Sequence, residues 1–265
     1  MIIFFILSIY IDNSTRLPVG VQSNGLGGIT TLIDEGLSVF HNPALIAQTR
    51  FNFTLCRWFY ETNMLNFGVS HKNNALGINY FNYGTIQGYD EYGIPTNRFN
   101  PYDLSIGIAR KIGTLGLSIK NFQSRVDSVV FIGIAGGISS FLDFKGICIG
   151  AKIDNLGKEF LHNTKLPIII SSGIKFSLPE DFEFFIEARG IDFELSSGFL
   201  YKYENLKIFL GMKYLSPKEF VEKITFSDFS VSGGLSISFE EYEVGYSFIY
   251  TQFSNAHQVG IIFTP

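Results

Sequence analysis

Beyond residue 50, apolar and polar positions alternate with a period of two, and the alternation recurs to the end of the chain. In NLKIFLGMKY, Leu206, Ile208, Leu210, Met212 and Tyr214 fall on one face, and Lys207, Phe209, Gly211 and Lys213 on the other. FSVSGGLSISF sets Phe229, Val231, Leu235, Ile237 and Phe239 against Ser230, Ser232, Gly234, Ser236 and Ser238. Each segment is a strand with one apolar face and one small or polar face. The pattern predicts strands over 51–60, 63–71, 74–83, 101–111, 113–122, 128–138, 144–153, 167–177, 181–191, 194–203, 205–214, 228–239, 241–251 and 255–264. Most match the ~9–11 residues that cross a bilayer at a tilt and exceed the ~5–6 usual in soluble sheets.

The connections sort by parity. The long ones, GTIQGYDEYGIPTNRFN, DNLGKEFLHNTKL and LSPKEFVEKITFS, follow the third, seventh and eleventh predicted strands, whereas turns at KNN, KIG, SSFLD, LPE, YEN and Glu240 are short. Long loops on one rim and tight turns on the other are the habit of outer-membrane barrels. The fold class expected is therefore all-β: a 14-stranded antiparallel transmembrane β-barrel in the bacterial outer membrane.

Hydrocarbon satisfies no polar group, so the Leu, Ile, Val and Phe faces point to lipid and the Gly, Ser, Asn and Lys faces line the interior. On that basis Leu210 faces lipid and Gly211 the lumen, where Arg is better tolerated if the lumen is roomy. Tyr60, Tyr80, Tyr83, Tyr201, Tyr203, Tyr214 and Tyr250 lie near strand ends, suited to the headgroup level. Cys56 and Cys148, alone in their strands, read as small wall residues.

Composition agrees: 28 Phe, 13 Tyr and 27 Gly accompany only 17% charged residues, against ~25% in typical soluble domains. A net charge of -4 supplies no basic field for nucleic acid, which is excluded as a partner. The opening MIIFFILSIYI has the length of a signal-peptide apolar region, although the first basic residue is Arg16. Residues 1–17 are read as a signal-peptide remnant and leader, with a buried first strand as the alternative.

Catalytic signatures are missing. His41, His71, His162 and His257 are scattered, without HExxH, GxSxG or P-loop patterns, so no enzyme, metal or cofactor is expected. Glu183, Glu187 and Arg189 share the inner face of one strand and read as lumen charges, solvated or paired with Lys175 and Lys207.

One stretch departs from β. In GLSVFHNPALIAQTRFNF, Asn42 is a good N-cap and Pro43 suits the next position, so PALIAQ reads as a helix of roughly one and a half turns. So short a helix needs surroundings to hold it. A place inside the barrel supplies them and makes residues 18–48 a hatch and 49–265 the barrel; the alternative is a mere linker into the first strand.

SNGLGGITTLIDEGLSVFHNPALIAQ, with Gly25, Gly27, Gly28, Asn42, Pro43 and Ala44, resembles the hatch of the long-chain fatty-acid transporter superfamily. KIDNLGKEFLHNTKLPIIISSGIKFSL carries Asn155-Leu156-Gly157, then Leu166-Pro167, then Gly173, and is similar to the PorV/PorQ branch. The final strand, with Gly260 and Phe263, looks like the terminal insertion signal of outer-membrane barrels, with Pro265 where an aromatic is common. Besides membrane lipid, the resemblance implies one of two sets of partners. A PorV/PorQ-like barrel would serve a type IX secretion pathway, meeting exported proteins or secretion components through its outer loops. A transporter-like barrel would instead take up hydrophobic small molecules, binding them near the hatch. The long loop 84–100, with Tyr89, Tyr92, Ile94 and Phe99, would serve either.

Overall fold

The computed structural model describes residues 19–58, 61–163, 165–190, 193–215, 229–251 and 255–265. The leader expected over 1–17, Tyr60 and most of the connection 215–227 lie outside the described residues. Among the described residues sixteen strands follow one another: β1 (Arg50–Arg57), β2 (Asn63–His71), β3 (Asn74–Asn82), β4 (Ile86–Tyr89), β5 (Pro95–Phe99), β6 (Tyr102–Ile112), β7 (Leu115–Val126), β8 (Val129–Asp143), β9 (Ile147–Glu159), β10 (Ile169–Ser177), β11 (Phe182–Arg189), β12 (Glu194–Tyr203), β13 (Leu206–Leu215), β14 (Phe229–Phe239), β15 (Tyr242–Tyr250) and β16 (Asn255–Phe263). All but β4 and β5 form one closed antiparallel barrel of 14 strands, sealed where β1 pairs with β16 from Phe51 opposite Phe263 to Arg57 opposite His257. Closure leaves no unpaired edge, the condition for placing a sheet in hydrocarbon.

The alternation falls as its polarity demands. Phe51, Phe53 and Leu55 of β1 point outward while Asn52, Thr54 and Cys56 are buried inside. Leu210, at 57% exposure, and Ile108, at 59%, are typical of an apolar belt that water would not tolerate on a monomer. Aromatic rings collect at both margins of the belt. Tyr242 and Phe51 flank Phe263 with centroids 4.9 and 5.9 Å away, and Phe182, Tyr201 and Tyr203 continue that rim. Tyr80 with Tyr102, and Tyr214 with Phe229, mark the opposite one. The chain is an outer-membrane β-barrel. With the tight turns at the periplasmic rim, the long connections face outward.

Several expectations change. Tyr83 turns inward, stacking on Phe81 and donating from its hydroxyl to Asp103 Oδ2 at 2.5 Å. SSFLD is not a turn, because β8 runs on to Asp143 and the reversal falls on Phe144–Gly146, where Lys145 and Gly146 have positive φ. Likewise β9 absorbs the start of the expected loop 154–166, by means of a bulge opposite Gly136–Ile138. Asn155 takes φ 61 at that bulge and Leu156 points outward. A Cβ on Gly157 would lie 1.9 Å from the Ile134 carbonyl, so only glycine fits this approach of the two strands. Loop 84–100 is ordered as the β4–β5 hairpin, whose turn is tied by Asp90 Oδ1 accepting from the amides of Tyr92 and Ile94.

Candidate functional site

Residues 19–46 lie almost wholly buried within the barrel, and they travel around its inner wall. Val21 packs on Gly245 and Gly260, Leu26 and Gly27 on Gly198 and Gly211, and Thr31 with Leu32 on Gly150 and Gly173. The chain then crosses the lumen. Gly36 and Leu37 meet Gly68, Val39 meets Gly107, Phe40 meets Gly77, and Pro43 and Ala44 meet Gly116. Asn42 closes the circuit, its Nδ2 donating to the carbonyls of Thr31, 2.8 Å, and Ser140, 3.1 Å.

The wall glycines are in register with one another: Gly68 opposite Gly77, Gly77 opposite Gly107, Gly150 opposite Gly173, Gly198 opposite Gly211 and Gly245 opposite Gly260. Each omits a side chain where the hatch backbone passes. A Cβ on Gly211 would stand 2.2 Å from Gly27 N, and one on Gly68 2.3 Å from the Gly36 carbonyl. The lumen next to Gly211 is therefore full, so the condition for tolerating Arg there is not met. We predict that Leu210→Arg, at a lipid-facing site, costs the barrel ~2–4 kcal/mol. Gly211→Arg should instead insert normally and leak, because it dislodges Gly27 while leaving the wall ladder intact. Equal insertion defects in a folding titration into vesicles would refute the facing.

Two helical turns punctuate the hatch. PALIAQ forms only a 3-10 turn, Pro43–Leu45, capped by Asn42 Oδ1 accepting from Ala44 N at 3.0 Å; Ile46, with ψ 113, ends it before the expected α-helix develops. An α-helix that the sequence reading missed, α1 (Val21–Gly25), begins at Gly20, which has no side chain to cap it. Glu35 does so from the far strap, accepting from Gln22 N at 2.9 Å and Ser23 N at 2.7 Å. Gly27 and Gly28, at φ 80 and 85, then turn the chain in a conformation open to glycine.

Glu187 of β11 is the main polar anchor. It accepts from both the amide and the hydroxyl of Thr30 and of Thr31, at 2.7–3.2 Å, with Arg189 3.4 Å away on its other side. Arg189 also donates to the Gly28 carbonyl, and Lys152 to that of Phe40. Glu183 pairs with Lys175 and Lys202, whereas Lys207 pairs with Glu243 at 2.6 Å, which corrects the expected Lys207 pairing. Burial first, then Lys152, pushes His41 down to about 4, so its neutral ring donates from Nε2 to the Val19 carbonyl, 2.6 Å away.

Apolar side chains line the lumen more than the sequence pattern suggests. Phe185, Leu200 and Phe209 point inward and pack against Val21, Leu26, Ile29, Leu32 and Ile33 of the hatch. Toward the outer mouth, Val19 and Leu37 join Cys56, Met64, Phe81 and Ala256, with Trp58, Tyr83, Phe40 and Ile249 half-buried around them. Leu166 of the β9–β10 connection folds onto Phe122 and Ala135. Cys56 and Cys148 are buried free thiols. Of the motif residues, Gly25, Gly27, Asn42, Pro43, Ala44, Gly173 and Gly260 meet at the hatch–wall boundary, whereas Asn155, Leu156, Gly157 and Phe263 belong to the wall. Among the described residues no three His, Cys, Asp or Glu side chains gather to hold a metal, and no helix is long and apolar enough to cross a membrane.

No family model and no curated protein matches the chain. Its fold is similar to that of the Pseudomonas putida toluene transporter TodX, with a TM-score of 0.65 at 11% identity over 92% of this chain and 96% of that one. A deltaS2 mutant of the TodX monoaromatic hydrocarbon channel aligns with a TM-score of 0.60 at 10% identity, covering 93% and 98% of the two chains. At these identities the likeness is one of fold.

Proposed function

We propose that the barrel is a channel for small hydrophobic molecules entering across the outer membrane. The observation that carries this reading is an apolar cluster toward the outer mouth of the barrel, in which Trp58, Tyr83 and Phe40 stay half-buried over the fully buried Phe81 and Met64. A lumen that passed only water-soluble solutes would gain nothing from an aromatic floor, whereas an apolar molecule reaching it from water gains about 25 cal/mol for each Å² it buries. The described inner surface resembles no catalytic arrangement, and the barrels it is similar in fold to are channels that carry toluene and monoaromatic hydrocarbons. A PorV/PorQ-type role in protein export draws its support from the sequence motifs alone.

Trp58 is the chain's single tryptophan and sits at this floor, so its emission reports occupancy directly. In nanodiscs, titration with toluene is expected to shift Trp58 emission saturably, and Tyr83→Ser should weaken the apparent affinity about tenfold, the loss of roughly one aromatic contact surface. Vesicles carrying the protein should also take up toluene faster than empty ones. Absence of a saturable shift, together with unaltered uptake, would remove the proposal.

A further inference from the structure

We infer that molecules cross the hatch between its first strap, Val19–Ser23, and its return strap, 34–37, and that the Glu35 side chain is the bar that closes this passage. The inference rests on the channel reading above. On the outer side, Val19 and Leu37 of the two straps join the apolar cluster around Trp58 and Phe81. On the periplasmic side a narrow cleft opens under the same two straps, lined by Gln22, Glu35, Ser236, Glu243 and Ile262. Cluster and cleft are thus one layer of chain apart. Across that layer Glu35 grips the amides of Gln22 and Ser23, and it presses on Gly20 so closely that a Cβ there would lie 2.6 Å from Oε1. Both straps also rest on wall glycines, Val21 on Gly245 and Gly260 and Gly36 with Leu37 on Gly68, whereas the hydrogen bonds that tie Gln22 and Ser23 of the first strap to the return strap are made by the Glu35 carboxylate.

Charge makes the bar responsive. Glu35 is 1% exposed, and the cations near it are committed: Lys207, facing from β13, holds Glu243 of β15, and Arg50 of β1 holds Asp34. Burial, reinforced by the charge on Glu243, therefore pushes the Glu35 carboxyl up to about 7, against the opposing pull of the two amides and Lys207. With the straps parted it regains water and its ordinary value of 4.5. Because the closed form binds the proton more tightly, closure is favoured in full below 4.5 and loses that support as pH rises through about 7. The passage opens toward neutral pH.

The test is ionic current through single barrels in planar bilayers, which needs no apolar substrate. Between about pH 5 and about pH 8 the open probability should rise at least tenfold, and Glu35→Gln, permanently neutral, should stay at the acid level throughout. A pH-independent parent, or a Gln variant that keeps the parent's rise, overturns the bar. The route is tested with Ser236→Cys in a background with Cys56→Ala and Cys148→Ala. A cationic methanethiosulfonate added from the periplasmic face should reduce the neutral-pH current; an unchanged current overturns the path. Flat currents alongside toluene uptake would remove this passage and leave the channel reading standing, and a pH-gated current without toluene uptake would do the reverse.

Discussion

A barrel lacking residues 19–48 is expected to insert normally and to carry the steady current of an open pore. The wall is closed by strand–strand hydrogen bonds from β1 round to β16, and the hatch contributes nothing to that ladder. What it contributes is filling. Without it the lumen is left with a ring of glycines, serines and charged side chains, which water occupies readily. Phe185, Leu200 and Phe209 lose their cover, so the heat-modifiable gel transition should shift to lower temperature. A deletion variant that inserts and yet conducts no better than the parent would mean that the segment does not block the lumen.

The second large effect is expected at Glu187. Glu187→Ala strips two amides and two hydroxyls of their acceptor and leaves Arg189 beside it without this partner, in a place where 2% of the carboxylate reaches solvent. Breaking a buried pair in this way costs about 3–5 kcal/mol, and here the loss falls on hatch docking rather than on the wall. Brief proteolysis from the periplasmic face should cut the hatch of the variant and spare that of the parent, while barrel migration on gels stays the same. Glu187→Gln should fall between them, since its amide oxygen still accepts. Equal protection of hatch in all forms would show that Glu187 is a bystander.

The wall was legible in the sequence because a strand between lipid and lumen writes its environment into every second residue. Leu210 and Lys213, or Phe53 and Thr54, declare their sides without reference to the rest of the chain. Within residues 19–46 the chain's own local signal was Asn42-Pro43-Ala44, a cap, while Gly25, Gly27 and Gly28 stood out through the family resemblance alone. What escaped was non-local. The cap of α1 comes from Glu35, thirteen residues from Gln22, and no propensity at Gly20 announces it. Phe185 and Phe209 read as exceptions on an inner face until something apolar is found to cover them. Bulges also hide: the φ of 61 at Asn155 lets a strand continue through residues whose composition reads as a loop. One signal was present and unused, a single glycine near the middle of β2, β3, β6, β10, β12, β13, β15 and β16, whose meaning depends on register between strands.

The circuit that the hatch makes has a consequence for biogenesis. Its earliest described contacts join the two ends of the chain: Asn24 bonds to Gln258, and Val21 rests between Gly245 of β15 and Gly260 of β16. Those strands are the last to be made, and β16 completes the cylinder by pairing with β1. A ring of polypeptide seated in recesses on all sides cannot be threaded into a finished cylinder through a mouth narrower than itself. In the full chain the hatch is therefore in place before the seam shuts, although the wall does not need it to close, and contacts spanning some 234 residues make its docking a slow step. Translation order favours it, because the hatch is synthesised first.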